Sequence, residues 1–454
     1  MKKIEFVKNK QFYKNIATLA LPVICQNMIT IGVNITDTVM VGKLGEVALS
    51  ATSLATNYID IFHVFNLGLG GGAGVLIAQY WGRGDKESVK KVINIMFRIC
   101  LIVGLAFSLL AVLIPSQILR LYTPDLNVVE QGRIYLAWSI PTFFLHGMVM
   151  MMSLSLRSIS KVKAPFISSI VSFIGNIFFN WVFIFGNLGA PRLGVAGAAL
   201  GTVLARISEL LVVGIYYFRL EKDLRIRFLD FLKPCRDLMS TFMKYGTPVI
   251  VSDLLLTFGN SAISIIMGHI GTAFVAANAA VTPVMRLCNV ATMGLSMATS
   301  ITIGNTIGKG LIEEAKKQGV TSFILSFATG ALAAALVLLI CPSIVAMYDI
   351  SKQAHEIARQ LIYAVSFILI FQAPQAVLTK GILRGGGDTR FVMVADVLFM
   401  WIFSIPLGAV CALVWKLNPF VIYVALKSDF IIKTVWCSSR LFKQKWIRKV
   451  YENN

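Results

Sequence analysis

"LPVICQNMITIGVNITDTVMVGKLGEVALSA" at residues 21–51 aligns without a gap on "TPVIVSDLLLTFGNSAISIIMGHIGTAFVAA" at 247–277. Pro22 meets Pro248, Gly42 meets Gly268, Gly45 meets Gly271 and Ala51 meets Ala277. The same register continues into the next segment, where "GLGGGAGVLIAQYWGRGDKESVKK" lies on "GLSMATSITIGNTIGKGLIEEAKK". There Gly68, Gly82, Gly84 and Glu87 stand over Gly294, Gly308, Gly310 and Glu313. Farther on, "LRSISKVKAPF" parallels "LRGGGDTRFVM", with Arg157 over Arg384. Self-similarity over this length means one structural unit made twice.

Each copy is built for a membrane. Of 454 residues, 57% are hydrophobic and 14% charged, an apolar share that a soluble domain carries only by exposing large sticky patches. A spanning helix needs about 20 apolar residues. Runs of that kind recur from near residue 16 to near residue 440, and counting them gives twelve. The expected fold is an all-α integral membrane protein with twelve transmembrane helices in two pseudo-symmetric six-helix lobes. The expected boundaries are an N-terminal lobe at 1–221, a charged cytoplasmic linker at 222–240 and a C-terminal lobe at 241–454. An even helix number per copy orients both alike, about an axis along the membrane normal, and transporters built so bind substrate near the midplane and alternate access.

The net charge of +20 does not point to nucleic acid. Lys and Arg crowd the N-terminus (Lys2, Lys3, Lys8, Lys10, Lys14), the loop near Arg83, the segment from Arg219 to Lys244 and the tail from Arg440. Alternate loops such as "PSQILRLYTPDLNVV" are nearly free of them. That asymmetry is the positive-inside pattern: a multi-pass plasma-membrane protein with both termini cytoplasmic, expected to act as a monomer in the lipid bilayer. Seven scattered cysteines lack metal-ligand spacing and read as small core residues. The first apolar segment is too long for a signal-peptide core and reads as a retained helix. "GNTIGKG" falls one residue short of a phosphate-binding loop and follows a helix, not a strand. The glycines at 68–74 sit inside a membrane run, where small residues let helices approach closely. Among four histidines no catalytic or metal-binding constellation appears, so an enzyme is not expected.

Ionisable residues inside a membrane run mark ion or substrate paths by default. Asp37, Asp60, Glu209, Asp253, Asp396 and Asp429 are the six here. Asp429 stands between Lys427 and Lys433 and reads as a local, interfacial pair. Glu209 lies one turn from Arg206, a spacing that pairs. Asp60 and His63 share a face, as a proton relay or a satisfied polar pair. Asp253 and Asp396 are read as neutralised by Arg286 and Lys380. Asp37 differs, because its own helix offers no cation and a central aspartate costs roughly 2.5–3.5 kcal/mol on insertion scales. Asn176 and Asn180, at i and i+4, share one face of the fifth helix, and Thr202 adds a hydroxyl from the sixth. These hard oxygens suit a small alkali cation such as Na⁺.

Together, "DTVMVGKLG", "GGGAGVLIAQYWGRGD", "GVAGAALGTV" and "LRGGGDTRF" resemble, in order and spacing over essentially the whole chain, the multidrug and toxic compound extrusion (MATE) family. The resemblance implies a twelve-helix antiporter that expels small, amphiphilic, often cationic compounds in exchange for Na⁺ or H⁺, with no other cofactor. Members with a coupling site in the N-terminal lobe carry an aspartate matching Asp37, an Asn-x-x-x-Asp pair whose first residue matches Asn176, and a hydroxyl matching Thr202. Asn180 departs from that pattern, standing where the second residue of the pair is acidic. The norfloxacin-exporter branch places acids in the C-terminal lobe, one of them in helix ten, but here "FQAPQAVLTKGILR" holds no acid before Arg384. The expectation is therefore a cation-coupled multidrug exporter with Asp37, Asn176, Asn180 and Thr202 at the coupling site. Pro22 serves as a hinge, because it breaks the backbone ladder and lets the first helix bend. The alternative is a lipid-linked saccharide flippase of the same superfamily, for which Arg206, Arg286 and Lys380 would supply a basic cavity.

Overall fold

A computed structural model describes residues 6–348 and 350–452; Lys2 and Lys3 of the basic N-terminus lie outside them. Eleven helices among the described residues are long and apolar enough to cross a membrane. In chain order they are α1 Lys10–Gly42, α2 Glu46–Arg83, α3 Lys86–Leu113, α4 Leu126–Ser158, α5 Lys163–Phe185 and α6 Val195–Leu220. After the linker come α7 Arg236–Ile270, α8 Thr272–Gly308, α9 Ile312–Val345, α10 Lys352–Leu383 and α11 Thr389–Val414. The twelfth apolar run is divided between α12 Pro419–Leu426 and α13 Ser428–Phe442. The break falls at Lys427, a charged residue in the middle of the apolar stretch, whose amine reaches Asn260 at 2.9 Å.

Local chemistry sets the ends. Asp85 caps α3 by accepting from the Ser88 N–H, and Asp125 caps α4 by accepting from Asn127 and Val128. Each satisfies donors that the first turn leaves orphaned. Gly186 ends α5 in the left-handed conformation (φ 77°), which glycine adopts without a Cβ penalty. Pro22 and Pro248 sit inside α1 and α7 without ending them. After Pro374, whose ring removes a backbone donor, α10 widens into a π-helical stretch over Val377–Leu383.

The chain forms two compact units. One comprises the described residues up to Ile24, the short segment Ala78–Gly84, and the chain from Lys244 onward. Its core packs Phe274, Ala277 and Val281 of α8 with Val337 of α9, Leu361 and Val365 of α10, and Leu426 of α12. The other comprises Cys25–Ile77 and Asp85–Met243, with a cluster of Val41, Ile184, Val195 and Ala198. Its glycines let α2 and α4 meet closely: a Cβ at Gly70 would strike the Leu154 side chain at 2.0 Å.

The linker is docked within this second unit. Asn94 of α3 donates to the carbonyls of Asp230 and Lys233 at 3.1 and 2.9 Å, and Arg98 donates to those of Phe231 and Lys233. Ion pairs Lys161–Asp223 and Lys91–Asp237, each 2.6 Å, hold its two ends.

Candidate functional site

Within the unit of Cys25–Ile77 and Asp85–Met243, α1, α5 and α6 bring polar side chains together in apolar surroundings. Asn176 and Asn180 are 2% and 1% exposed, because the helical period turns both inward. The Asn180 amide donates to Asp37 Oδ1 at 2.5 Å and more weakly to Asn176 Oδ1 at 3.4 Å. Gly201 of α6 makes this possible, since a Cβ there would lie 2.2 Å from Asn180 Oδ1 and 3.0 Å from its backbone N. That Oδ1 is buried and has no hydrogen-bond partner, an orphaned acceptor of the kind native structures rarely keep without a reason.

The detail differs from the oxygen cage expected of the sequence. Asn180 presents its N–H to Asp37, not its carbonyl, because an anionic or neutral carboxyl oxygen is an acceptor that an amide donor satisfies. The Thr202 hydroxyl donates to the Ala198 carbonyl of its own helix at 3.1 Å, the back-bond usual for Thr in apolar helices. Asp37, Asn176 and Asn180 are thus joined by hydrogen bonds, while Thr202 is adjacent in sequence to Gly201 but not bonded to them. For these residues to ligate a cation, the Asn180 amide must turn over so that its orphaned oxygen faces Asp37.

Around this core lie further charges. Arg206 pairs with buried Glu209 at 2.5 Å, and its guanidinium is close enough to act on Asp37, His63 and His146. His63 bonds His146 of α4, Nδ1 to Nε2, at 2.8 Å. The i,i+3 spacing to Asp60 suggested another neighbour for His63, and nothing in the sequence singled out His146, more than eighty positions away. Arg157, at the end of α4, donates to Gln26 Oε1. The Gln26 amide in turn donates to Ser169 Oγ at 2.6 Å and to the Pro165 carbonyl at 3.1 Å.

Asp253 and Asp396 belong to the other unit. Arg384 grips Asp253 with two bonds of 2.7 and 3.1 Å. Asp396 accepts from Lys433 at 3.1 Å and from Ser252 Oγ at 2.6 Å. Lys433 also holds Asp429 at 2.8 Å. The pairing with Arg286 and Lys380 is therefore corrected: Arg384 and Lys433 are the direct partners, and Lys380 acts on Asp253 only electrostatically. Asp429 makes the expected local pair with Lys433, but the pair is buried and not interfacial. Asp429 is 2% exposed and shares a buried cation, because burial leaves a charge viable only when it is paired. The Arg157-over-Arg384 match was a visible signal of this design, since both arginines reach the same part of their repeat's first helix. Among the described residues, no group of three or more His, Cys, Asp and Glu is placed to hold a metal ion.

The MatE family model matches this chain twice, over residues 22–182 and 248–410. The chain belongs to the MATE family. Its members are transporters, not enzymes. Among curated relatives, a probable multidrug resistance protein NorM of Mesorhizobium japonicum is 28% identical over 95% of this chain and 93% of its own. A probable multidrug resistance protein YoeA of Bacillus subtilis is 23% identical over 92% and 91%. Among solved structures, a MATE protein in its straight conformation superposes with a TM-score of 0.86 at 18% identity, covering 97% of this chain and 100% of that one. The fold of this MATE chain is thus the fold of a solved group, with many apolar spanning helices as the sequence implied.

Proposed function

We propose that this MATE protein exports small amphiphilic organic cations across the plasma membrane by antiport against Na⁺ or H⁺, with Asp37 as the coupling carboxylate. The observation that carries this reading is the Asp37–Asn180 bond of 2.5 Å beside the orphaned Asn180 oxygen. A carboxylate inside a membrane helix that is held by a neutral amide, and not by a cation of its own, has a charge left to exchange. Asn176, Asn180 and Thr202 would supply the remaining oxygens for Na⁺ once the amide turns. In the proton-loaded state Asp37 would carry the proton and keep its amide bond. The multidrug names of the relatives support the substrate class.

Pro22 is the hinge in this reading. It lies inside α1, where its missing N–H and its ring interrupt the backbone ladder, which supports bending there. The lobes 1–221 and 241–454 would move about the 222–240 linker, with both termini cytoplasmic and the chain acting as a monomer. The flippase alternative is less well supported, because Arg206, which an anionic headgroup would need, is committed to Glu209.

Efflux of ethidium from inverted vesicles, under separately imposed Na⁺ and H⁺ gradients, tests the proposal. Export driven by either gradient and lost in Asp37→Asn is the expected result. Wild-type rates in Asp37→Asn would move the coupling site elsewhere.

A further inference from the structure

We propose that His63 and His146 form a second proton-binding site in the first repeat, a coupled imidazole pair that takes up a single proton between two rings. The geometry is that of a hydrogen bond, not a stack. The ring planes lie within 20° and the centroids are 4.8 Å apart, while the nearest nitrogens are 2.8 Å apart. Faces in van der Waals contact keep their atoms about 3.5 Å apart or more. The rings therefore lie nearly edge to edge, with one nitrogen lone pair aimed at the other ring's N–H.

Counting protons limits what the pair can do. Each neutral imidazole has one N–H and one lone pair, so the 2.8 Å bond holds one proton. If His63 Nδ1 donates, His146 Nε2 accepts and His146 carries its own proton on Nδ1. That nitrogen is buried and has no partner, so it is closed to exchange. His63 Nε2 makes no hydrogen bond among the described residues, and His63 is only partly buried. A proton arriving at Nε2 leaves His63 an imidazolium that donates a charge-assisted bond to neutral His146. The proton in the bridge can also pass across, putting the charge on His146 and leaving His63 with its proton on Nε2. A second proton would set two N–H groups against each other within one bond, so the pair stops at one.

Arg206 is the charge that this site has in common with Asp37. On the dry side, Phe62, Phe107 and Phe143 pack edge to face and tilted with Tyr58. Arg206 of α6, paired with Glu209, acts on both rings; Asp60 lies one turn earlier on α2, Cys100 Sγ of α3 lies against Gly147, next to His146, and Tyr135 of α4 feels Asp37 and Asp60. Arg206 acts electrostatically on Asp37 and on both rings. A proton on the histidines and a cation at Asp37 are like charges, so to the extent that they interact each load disfavours the other.

The role in transport rests on the antiport reading above, but the proton exchange itself does not, so its test is direct. Full-length protein carrying ¹⁵N-histidine, purified in micelles, is titrated by NMR from about pH 4 to about pH 9, the range over which histidines change charge. The chain has four histidines, and His269→Gln and His355→Gln identify the two outside the pair. The expected result is that the His63 and His146 nitrogens shift together at one midpoint, with uptake of about one proton by the two rings. His146→Gln should leave His63 titrating as an ordinary single ring. Separate midpoints with two protons bound, or rings that never change state over the range, would overturn the proposal. In vesicles, His63→Gln should remove the acid-side limb of the pH profile of ethidium export; an unchanged profile would deny the pair a part in transport. If the wild type exports no ethidium, the exporter reading fails and the titration still decides the pair.

Discussion

Gly82 and Gly308, corresponding residues of the two repeats, meet in the fold and exclude each other's side chains. A Cβ at Gly82 would lie 2.1 Å from the Asn305 carbonyl oxygen, and one at Gly308 would lie 2.1 Å from that of Gln79. Asn305 and Gln79 are themselves corresponding residues, so α2 and α8 cross here as an internal two-fold contact. Neither backbone carbonyl can yield as a flexible side chain would. Gly82→Ala and Gly308→Ala should each lower thermal stability, by about 1–3 kcal/mol as overpacking does. Gly214→Ala, in a helix with nothing near its Cβ position, should be neutral or stabilising. Unfolding midpoints of the three variants in detergent check this; equal shifts for all three would refute a close crossing.

Gly201→Ala offers a way to disturb the Asp37 site without changing any of its polar groups. The added methyl would push against Asn180 Oδ1, 2.2 Å from the Cβ position, and displace the amide from Asp37. Gradient-driven export should fall while expression and the unfolding midpoint stay near those of the wild type. Gly201→Ala with full ion-coupled activity would show that the Asp37–Asn180 bond is dispensable.

The buried pair Asp253–Arg384 should behave as a unit. Arg384→Met leaves buried Asp253 without its direct partner, at a cost of about 3–5 kcal/mol. Asp253→Leu combined with Arg384→Met removes both charges and should recover much of that loss. A double-mutant cycle on thermal unfolding measures the difference. Additive losses would mean the two charges do not depend on each other.

The linker's docking should depend on pH. Lys161 beside Asp223 holds that carboxyl below the ordinary carboxylate range. A group whose pKa is lowered on docking contributes above its free value of about 3.9 and loses that contribution as pH falls through the lower docked value. A spin label at exposed Lys222 should therefore be immobile near neutral pH and become mobile as pH drops below about 3.9. Asp223→Asn should mobilise it at neutral pH. No change in either condition would mean that the backbone bonds from Asn94 and Arg98 hold the linker by themselves.

Local composition and the repeat were enough to determine much of this protein. Long apolar runs can only be spanning helices, because lipid satisfies no backbone polar group, and the ungapped match of 21–51 with 247–277 doubled the unit. The isolation of Asp37 was equally legible, since it needed only the absence of a cation near it within the apolar part of its own helix. The i,i+4 face of Asn176 and Asn180 was readable too, because helical spacing alone sets which side chains share a face.

Tertiary structure decided the partners. That Arg384 and not Arg286 neutralises Asp253, that Lys433 serves two aspartates, and that His63 bonds His146 all depend on which helix faces pack together. No periodicity within a helix encodes that choice, and between apolar helices many facings bury similar area. The orientation of the Asn180 amide and the break of the last apolar run at Lys427 were hidden for the same reason. Each is set by one buried polar group finding its partner on another segment of the chain.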